Sequence, residues 1–126
     1  MRYLLVVVFF LVVLLSGCGE APQPLAGGKH VSYWAESLKS PDAKLRREAA
    51  FKLGNVGPAD PIACPALVGA LKDRNAAVRC EVILALLKCG PAALEAIPAL
   101  TELRDQDRDP KVRDYASKAL AKLQGN

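Results

Sequence analysis

Cysteine and histidine are the side chains of this 126-residue chain best suited to metal or covalent chemistry. Cys64, Cys80 and Cys89 are 16 and 9 residues apart and no C-x-x-C pair occurs, so their spacing does not indicate a metal site. His30 has no cysteine or carboxylate arranged around it and is interpreted as an exposed side chain. The sequence also contains no glycine-rich phosphate loop, Ser-His-Asp set or paired-carboxylate motif. We therefore expect a non-catalytic protein with no cofactor, no metal and no small-molecule substrate.

Cys18, the fourth cysteine, follows a segment with the composition of an export signal. Arg2 precedes an uncharged run of thirteen apolar residues, 3–15. A transmembrane helix needs about 20 apolar residues, so this run is too short to span a bilayer but suits the hydrophobic region of a signal peptide. Ser16 and Gly17 are the small residues typical of a cleavage site. The segment therefore predicts export.

The tetrapeptide Leu15-Ser16-Gly17-Cys18 resembles the lipobox of bacterial lipoproteins. The resemblance implies that residues 1–17 are a cleaved signal peptide and that Cys18 carries two or three acyl chains such as palmitate, enough for stable anchoring. It also implies attachment to the cell membrane or outer membrane, with the mature domain periplasmic or extracytoplasmic. An ordinary signal peptide with an incidental cysteine is the alternative. Residues 18–30 are then the lipidated cysteine and a flexible linker, because they mix Pro, Gly and polar residues without periodicity.

Internal similarity dominates the rest of the chain. The tripeptide Gly-Pro-Ala occurs at 57–59 and again at 90–92, and Pro-Ala-Leu occurs at 65–67 and again at 98–100, an offset of 33 residues in both cases. Several positions that share one offset indicate a repeated structural unit. The period predicts supersecondary units of two elements each, stacked in a row.

Each unit carries apolar residues at helical spacing. Leu45, Ala49, Leu53 and Val56 lie at i, i+4, i+8 and i+11 and form one stripe of a helix. The other two units repeat this stripe at Val78, Val82, Leu86 and Cys89, and at Val112, Ala116, Leu120 and Leu123.

Local signals predict where these helices begin and end. A capping oxygen precedes a proline at Ser40-Pro41, Asp60-Pro61 and Asp109-Pro110, which favours helix starts at these positions. Gly57 and Gly90 favour helix ends. The sequence thus predicts an all-α fold, a short α-solenoid of three helix-turn-helix units at about 31–56, 61–89 and 92–123, within a repeat domain spanning 31–124. Since one helix pair cannot bury its own apolar stripe, three stacked pairs supply the continuous core.

These units resemble HEAT repeats, particularly the short HEAT-like class found in phycobilisome lyases. The family pattern has a proline and a leucine in the first helix, an aspartate in the turn, then a hydrophobic-Arg pair and an Ala-rich second helix. The matching residues are Leu45, Arg46, Ala49 and Ala50 in the first unit, Pro65, Leu67, Asp73, Val78 and Arg79 in the second, and Pro98, Leu100, Val112 and Arg113 in the third. The resemblance covers about 31–123. It departs at Leu86-Leu87, where Leu-Gly is expected. It implies a ladder of ion pairs between neighbouring units, formed by Arg46, Arg79 and Arg113 with Asp42, Asp73 and Asp107. A basic stripe of the three arginines that binds phosphate is the alternative.

The surface opposite the apolar stripe is the candidate binding site. Arg47, Phe51 and Asn55 point away from Leu45, Ala49 and Leu53 at 100° per residue. The equivalent columns in the other units are Cys80, Leu84 and Lys88, and Asp114, Lys118 and Lys122. In HEAT arrays the second helices line the concave face, which implies a partner-binding surface of Arg47, Phe51, Cys80, Leu84, Lys88, Lys118 and Lys122. Phe51 and Leu84 are apolar among charged neighbours, as in a binding patch. Their burial by a neighbouring unit or by the linker is the alternative.

The cysteines of the repeat region allow two interpretations. Cys64 occupies the position of Val31 and Ile97, and Cys89 that of Val56 and Leu123, so both are expected in the core. An antiparallel helix pair brings them near each other, and a disulfide is possible in an oxidising compartment. Cys80 occupies the position of Arg47 and is expected to be exposed.

The functional prediction is a membrane-anchored protein-interaction scaffold of the bacterial cell envelope, with an unidentified protein partner. The alternative is an accessory factor related to HEAT-type bilin lyases. Nucleic-acid binding is not expected, because the net charge of +4 comes from acidic and basic residues that alternate along the chain.

Overall fold

Helices make up about three quarters of residues 25–125, the part of the chain that the computed structural model describes. The predicted all-α solenoid is confirmed. Within this range six α-helices form three antiparallel pairs, whose bounds are α1 Val31–Ser37, α2 Ala43–Val56, α3 Ala63–Ala70, α4 Ala76–Leu86, α5 Ile97–Gln106 and α6 Pro110–Gln124. The 3-10 segments Gly57–Ala59 and Leu87–Ala96 connect the pairs. The predicted signal peptide, Cys18 and linker residues 19–24 lie outside the described residues.

The second helix of every pair begins with a side-chain cap. Asp42, Asn75 and Asp109 have extended backbones, and their side-chain oxygens accept the free N–H groups of the first turn. The predicted start at Ser40-Pro41 is wrong, because the cap is Asp42, two residues later. α3 also begins later than Asp60-Pro61 predicts, at Ala63.

Two glycines with positive φ lie after the second helices of units one and two. Gly57, with φ +55°, caps α2 directly and ends it as predicted. The prediction for Gly90 is wrong in position, because α4 already ends at Leu86 and Gly90, with φ +59°, breaks the 3-10 segment that follows. Ala76–Gln106 is long and apolar enough on average to cross a membrane. It is not one straight helix, however, because the backbone turns at Gly90.

A continuous core runs through the three pairs. First-helix side chains such as Trp34, Leu67 and Leu100 pack against second-helix side chains such as Leu53 and Leu86, all less than 4% exposed. The stacking is close: a Cβ added at Gly54 of α2 would lie 2.7 Å from the Ala85 Cβ of α4. The units therefore complete one another's interior.

The chain before α1 forms a small hairpin. Strands β1 (Leu25–Ala26) and β2 (Lys29–His30) pair antiparallel, and Gly27-Gly28 supplies the two positive φ angles of the turn. Ala26 is buried, and its carbonyl accepts a 2.6 Å hydrogen bond from Trp34 Nε1. The prediction of a flexible linker over 18–30 is therefore wrong for residues 25–30. His30 is exposed, as expected.

Candidate protein-binding groove

The second helices α2, α4 and α6 lie side by side and form the inner face of the solenoid. Each places one predicted column of side chains at the surface. All members are exposed except Cys80, which is partly buried; the columns are Arg47, Phe51 and Asn55, then Cys80, Leu84 and Lys88, then Asp114, Lys118 and Lys122. The structure thus brings the predicted partner-binding residues together on one surface, here called the inner groove.

Two apolar side chains in the inner groove are exposed to solvent. Phe51 is 46% exposed and Leu84 is 44% exposed, although they hold the same position in consecutive units. No unit or hairpin residue among 25–125 covers them. Their burial by a neighbouring unit, the alternative above, does not occur in the described part of the chain.

The groove consists of two connected depressions on either side of Leu84. One, of about 410 Å³, lies between Phe51, Glu81, Leu84, Lys88 and Lys122. The other, of about 350 Å³, continues past Leu84 toward α6 and is lined by Arg47, Ala76, Ala77, Cys80, Glu81, Leu84, Asp109, Lys111 and Tyr115. Leu84 and Glu81 line both, so a bound segment can run across all three units.

Charged groups in the groove are partly paired with each other. Arg47 Nε lies 3.3 Å from Glu81 Oε2. Lys88 Nζ donates to Asn55 Oδ1 at 2.7 Å and lies 5.1 Å from the Phe51 ring centroid, within cation-π range. These contacts hold the polar rim around the two apolar side chains.

Positive charge exceeds negative charge along the lining. A third depression adjoins these two and is lined by Lys44, Arg47, Glu48, Phe51 and Glu81. The three depressions together have five basic side chains against three acidic ones, which are Lys44, Arg47, Lys88, Lys111 and Lys122 against Glu48, Glu81 and Asp109. Lys111 and Lys122 form no ion pair with any residue in 25–125. The groove is therefore apolar in the middle and mildly basic at its edges.

Sequence reasoning missed several groove residues. Glu81, Tyr115 and Glu48 each follow a predicted column residue by one position, and Lys44 and Lys111 precede one by three. Positions i+1 and i−3 flank a helical column at 100° per residue. The helical spacing could therefore have indicated these residues, but the prediction included only one column per helix and left out the positions beside it.

Cys64 and Cys89 form a disulfide in the structure, with Cα atoms 6.0 Å apart. Both residues are buried, so the core interpretation and the disulfide interpretation of the sequence hold together. The bond ties the start of α3 to the end of the second unit. Cys80 is a free thiol in the groove, but the prediction that it is exposed is wrong, because it is partly buried. This burial raises its pKa above the ordinary value.

An ion-pair ladder connects the turns of neighbouring units. Arg46 donates to both carboxylate oxygens of Asp73, from Nε at 2.7 Å and Nη2 at 3.0 Å. Arg79 binds Asp107 in the same way, with both distances 2.8 Å. Burial alone would raise the pKa of each aspartate, but hydrogen bonds from the arginine and from a backbone N–H two residues later hold both pKa values below the ordinary 3.8.

Asp42 and Arg113, two predicted members of the ladder, do not pair in it. Asp42 caps α2 instead, and Ser40 occupies the position that Asp73 and Asp107 occupy in later units. Including Asp42 was therefore wrong, because the capping residue lies two positions after the ladder residue. Arg113 Nη1 donates to the Asp107 and Arg108 carbonyls, but the guanidinium pairs with no carboxylate in 25–125.

Within the described residues, no group of three or more His, Cys, Asp or Glu side chains could hold a metal ion.

The comparisons agree with this architecture. The family model for HEAT repeats matches residues 31–122, which contain α1 to α5 and nearly all of α6. No curated protein matches the chain. On the match and the stacked helix pairs together, this chain belongs to the HEAT-repeat family.

Proposed function

We propose that this chain is a membrane-anchored protein-interaction module of a bacterial cell envelope and that its inner groove binds a segment of a partner protein. The observation that supports the proposal best is the pair of open apolar side chains, Phe51 and Leu84, on adjacent helices of a HEAT-type array. Apolar side chains with a charged rim are the anatomy of a protein-binding surface.

The exposed part of these anchors is large enough to contribute measurably to binding. An aromatic side chain buries 150–250 Å² when fully covered, so covering the 46% of Phe51 that is exposed removes roughly 90 Å² from water. At about 25 cal/mol per Å² this contributes about 2 kcal/mol, and Leu84 contributes about 1 kcal/mol more. These two residues are therefore the expected hot spots.

Charge indicates the chemistry of the bound segment. Lys111 and Lys122 flank the apolar centre without ion-pair partners among the described residues, while Arg47 and Glu81 neutralise each other. The complementary ligand is an extended or helical peptide with one or two apolar anchors and carboxylates next to them.

The anchoring half of the proposal depends on Cys18. Six residues, 19–24, lie between Cys18 and Leu25, so a lipid on Cys18 would hold the hairpin within about 25 Å of the bilayer. The Cys64–Cys89 disulfide supports an exported location, because such bonds persist in oxidising compartments.

A displayed library of random 16-residue peptides tests the groove. Selected peptides are expected to be apolar and acidic. Their affinity should fall roughly 30-fold with Phe51→Ala and about fivefold with Leu84→Ala, the losses that correspond to about 2 and about 1 kcal/mol. Leu94→Ala and Ile62→Ala are matched controls, because these side chains are 47% and 44% exposed but lie outside the groove. Equal losses in all four variants, or no selected peptide, would contradict the proposal.

Labelling with a palmitate analogue tests the anchor separately. The full chain is expected to incorporate the label and to sediment with membranes, and Cys18→Ser is expected to abolish both. A chain that stays unlabelled and is released without its first 17 residues would instead indicate an ordinary signal peptide.

A further inference from the structure

The segments that connect the helix pairs lie along one edge of the solenoid. Because the helices of a pair are antiparallel, each first helix begins and each second helix ends at this edge. The connecting segments adjoin each other, since a Cβ added at Gly57 would lie 3.2 Å from the Lys88 carbonyl oxygen. The hairpin joins the same edge, since a Cβ added at Gly27 would lie 2.8 Å from Lys52 Nζ near the end of α2. Residues 25–30, 57–62 and 87–96 are here called the connector edge.

Exposed apolar side chains recur along the connector edge. Leu25 of the hairpin is 60% exposed, and Ile62 and Leu94, which precede α3 and α5, are 44% and 47% exposed. Tyr33, in the first turn of α1, is exposed beside them. Within 25–125 these four are the large apolar side chains that are exposed outside the inner groove. The opposite edge, where the turns and the ion-pair ladder lie, has none among the same residues.

Two lysines stand beside these apolar side chains at the hairpin. Lys29 Nζ lies 3.9 Å from the Tyr33 ring centroid, and Lys52 lies next to the hairpin turn. Neither ammonium group forms an ion pair with a carboxylate in 25–125. The acidic residues of the connector edge itself are Asp60, which is 4% exposed, and Glu95 in the third unit. The hairpin end of the connector edge is therefore both apolar and basic.

A bilayer surface fits this pattern better than a protein segment does. The hot spots of a protein interface gather at its centre, whereas Leu25, Ile62 and Leu94 are distributed one to a unit. Packed helices are about 8–10 Å apart, so the three side chains are spread over roughly 20 Å. Apolar side chains accompanied by lysines and a tyrosine suit the interface of an anionic bilayer. The chain also leaves the described residues on this edge, six residues after Cys18.

We propose that the connector edge docks on the surface of an anionic phospholipid bilayer. Its apolar side chains would enter the headgroup region, and Lys29 and Lys52 would lie near lipid phosphates, where each lysine strengthens the contact about fivefold. The proposal rests on the anchor half of the proposed function, because a lipid on Cys18 would bring this edge to the membrane. It adds an orientation: the helices would stand upright on the bilayer, and the inner groove would face sideways, open to a partner.

Quenching by nitroxide-labelled lipid tests the contact. The fluorescent amino acid dansylalanine replaces Leu94 in one full chain and Lys72, exposed on the opposite edge, in a matched chain. Both chains are placed in vesicles of phosphatidylcholine with about one quarter phosphatidylglycerol, which contain lipid carrying a nitroxide near the headgroup. Because a nitroxide quenches over a short range, we expect quenching at position 94 to exceed that at position 72 about twofold or more. Quenching at position 94 should weaken in vesicles without phosphatidylglycerol.

Two double variants of the chain with the probe at position 94 show which groups make the contact. Lys29→Glu/Lys52→Glu should lower the quenching about twofold or more in the anionic vesicles but not in the neutral ones. Lys52 packs against the hairpin, so Leu25→Ser/Ile62→Ser, which changes only exposed side chains, is the second variant and should lower the quenching as well. The unfolding midpoint of each variant shows whether the fold is kept.

Flotation of the vesicles and acyl labelling at Cys18 report the anchor separately. A labelled chain that floats but is quenched equally at positions 94 and 72 would overturn the bilayer contact and leave the anchor intact. Stronger quenching at position 94 in an unlabelled chain would support the contact without the anchor. A chain that does not float, or quenching that is unchanged in both double variants, would also overturn the contact.

Discussion

Removal of the Asp73 carboxylate is the sharpest test of how the units are held together. Arg46 and Asp73 side chains are only 5% and 8% exposed, so solvent screens their pairing little. Asp73→Ala leaves the Arg46 charge buried without its carboxylate and also removes the acceptor for the Asn75 N–H. Breaking a buried pair in this way costs about 3–5 kcal/mol. A domain of this size loses about 5 °C in unfolding midpoint per kcal/mol, so we expect a decrease of about 15–25 °C.

Asp105→Ala is the matched control for this prediction. Asp105 also accepts two hydrogen bonds from an arginine, Arg104, but the two side chains are 50% and 43% exposed. Exposed pairs contribute about 0–1 kcal/mol, so its removal should lower the midpoint by less than about 5 °C. Thermal unfolding followed by circular dichroism, with the disulfide intact, compares the two variants.

The double variant Arg46→Met/Asp73→Leu completes the test. It removes both charges together and is expected to be more stable than Asp73→Ala, because no unpaired charge remains buried. Similar losses for Asp73→Ala and Asp105→Ala, or a double variant less stable than the single one, would refute the argument that burial makes this pair important.

Three further predictions concern stability. Cys64→Ala should lower the free energy of unfolding by about 3.5 kcal/mol, the loop-closure contribution of a disulfide with a sequence separation of 25. Reducing agent should lower the unfolding midpoint of the natural chain but not that of this variant. Gly54→Ala should lower the free energy of unfolding by about 1–3 kcal/mol, because the new Cβ would lie within 3 Å of the facing helix. Gly69→Ala has open space around it and should be neutral or stabilising by up to about 1 kcal/mol. Urea titration of both variants measures the difference. Acid should destabilise the fold as pH falls below about 4, because the pKa values of Asp73 and Asp107 are lower in the folded chain than in the unfolded chain. Their contribution to the free energy of unfolding is complete above the unfolded pKa and is lost as pH falls through the folded pKa. Asp73→Asn should weaken this pH dependence.

The repeat period was enough to predict the solenoid and most of its inner surface. A recurrence of 33 residues fixes which positions are equivalent, and the helical spacing within each unit fixes which side faces the core. Phe51 and Leu84 follow from these two facts alone. The arginines of the ladder also follow, because each recurs at one register position.

Other features depended on details that periodicity does not contain. The assignment of Asp42 to the ladder is an exception, because the 33-residue offset already places Ser40 at the position of Asp73 and Asp42 at that of the cap Asn75. The hairpin was missed because strands of two residues have no period, although Gly27-Gly28 is a turn signal. Only the packing decided that Cys64 and Cys89 are bonded.

Photo-cross-linking from inside the inner groove shows whether a partner protein binds there. Benzoylphenylalanine replaces Leu84 in one full chain and Leu94, equally exposed but outside the groove, in another, and both are irradiated in native membranes. If the inner groove binds a partner protein, position 84 forms a discrete hetero-adduct that disappears when Phe51→Asp is added, and position 94 shows no such dependence. Equal adducts from the two positions, or none from position 84, would contradict this binding.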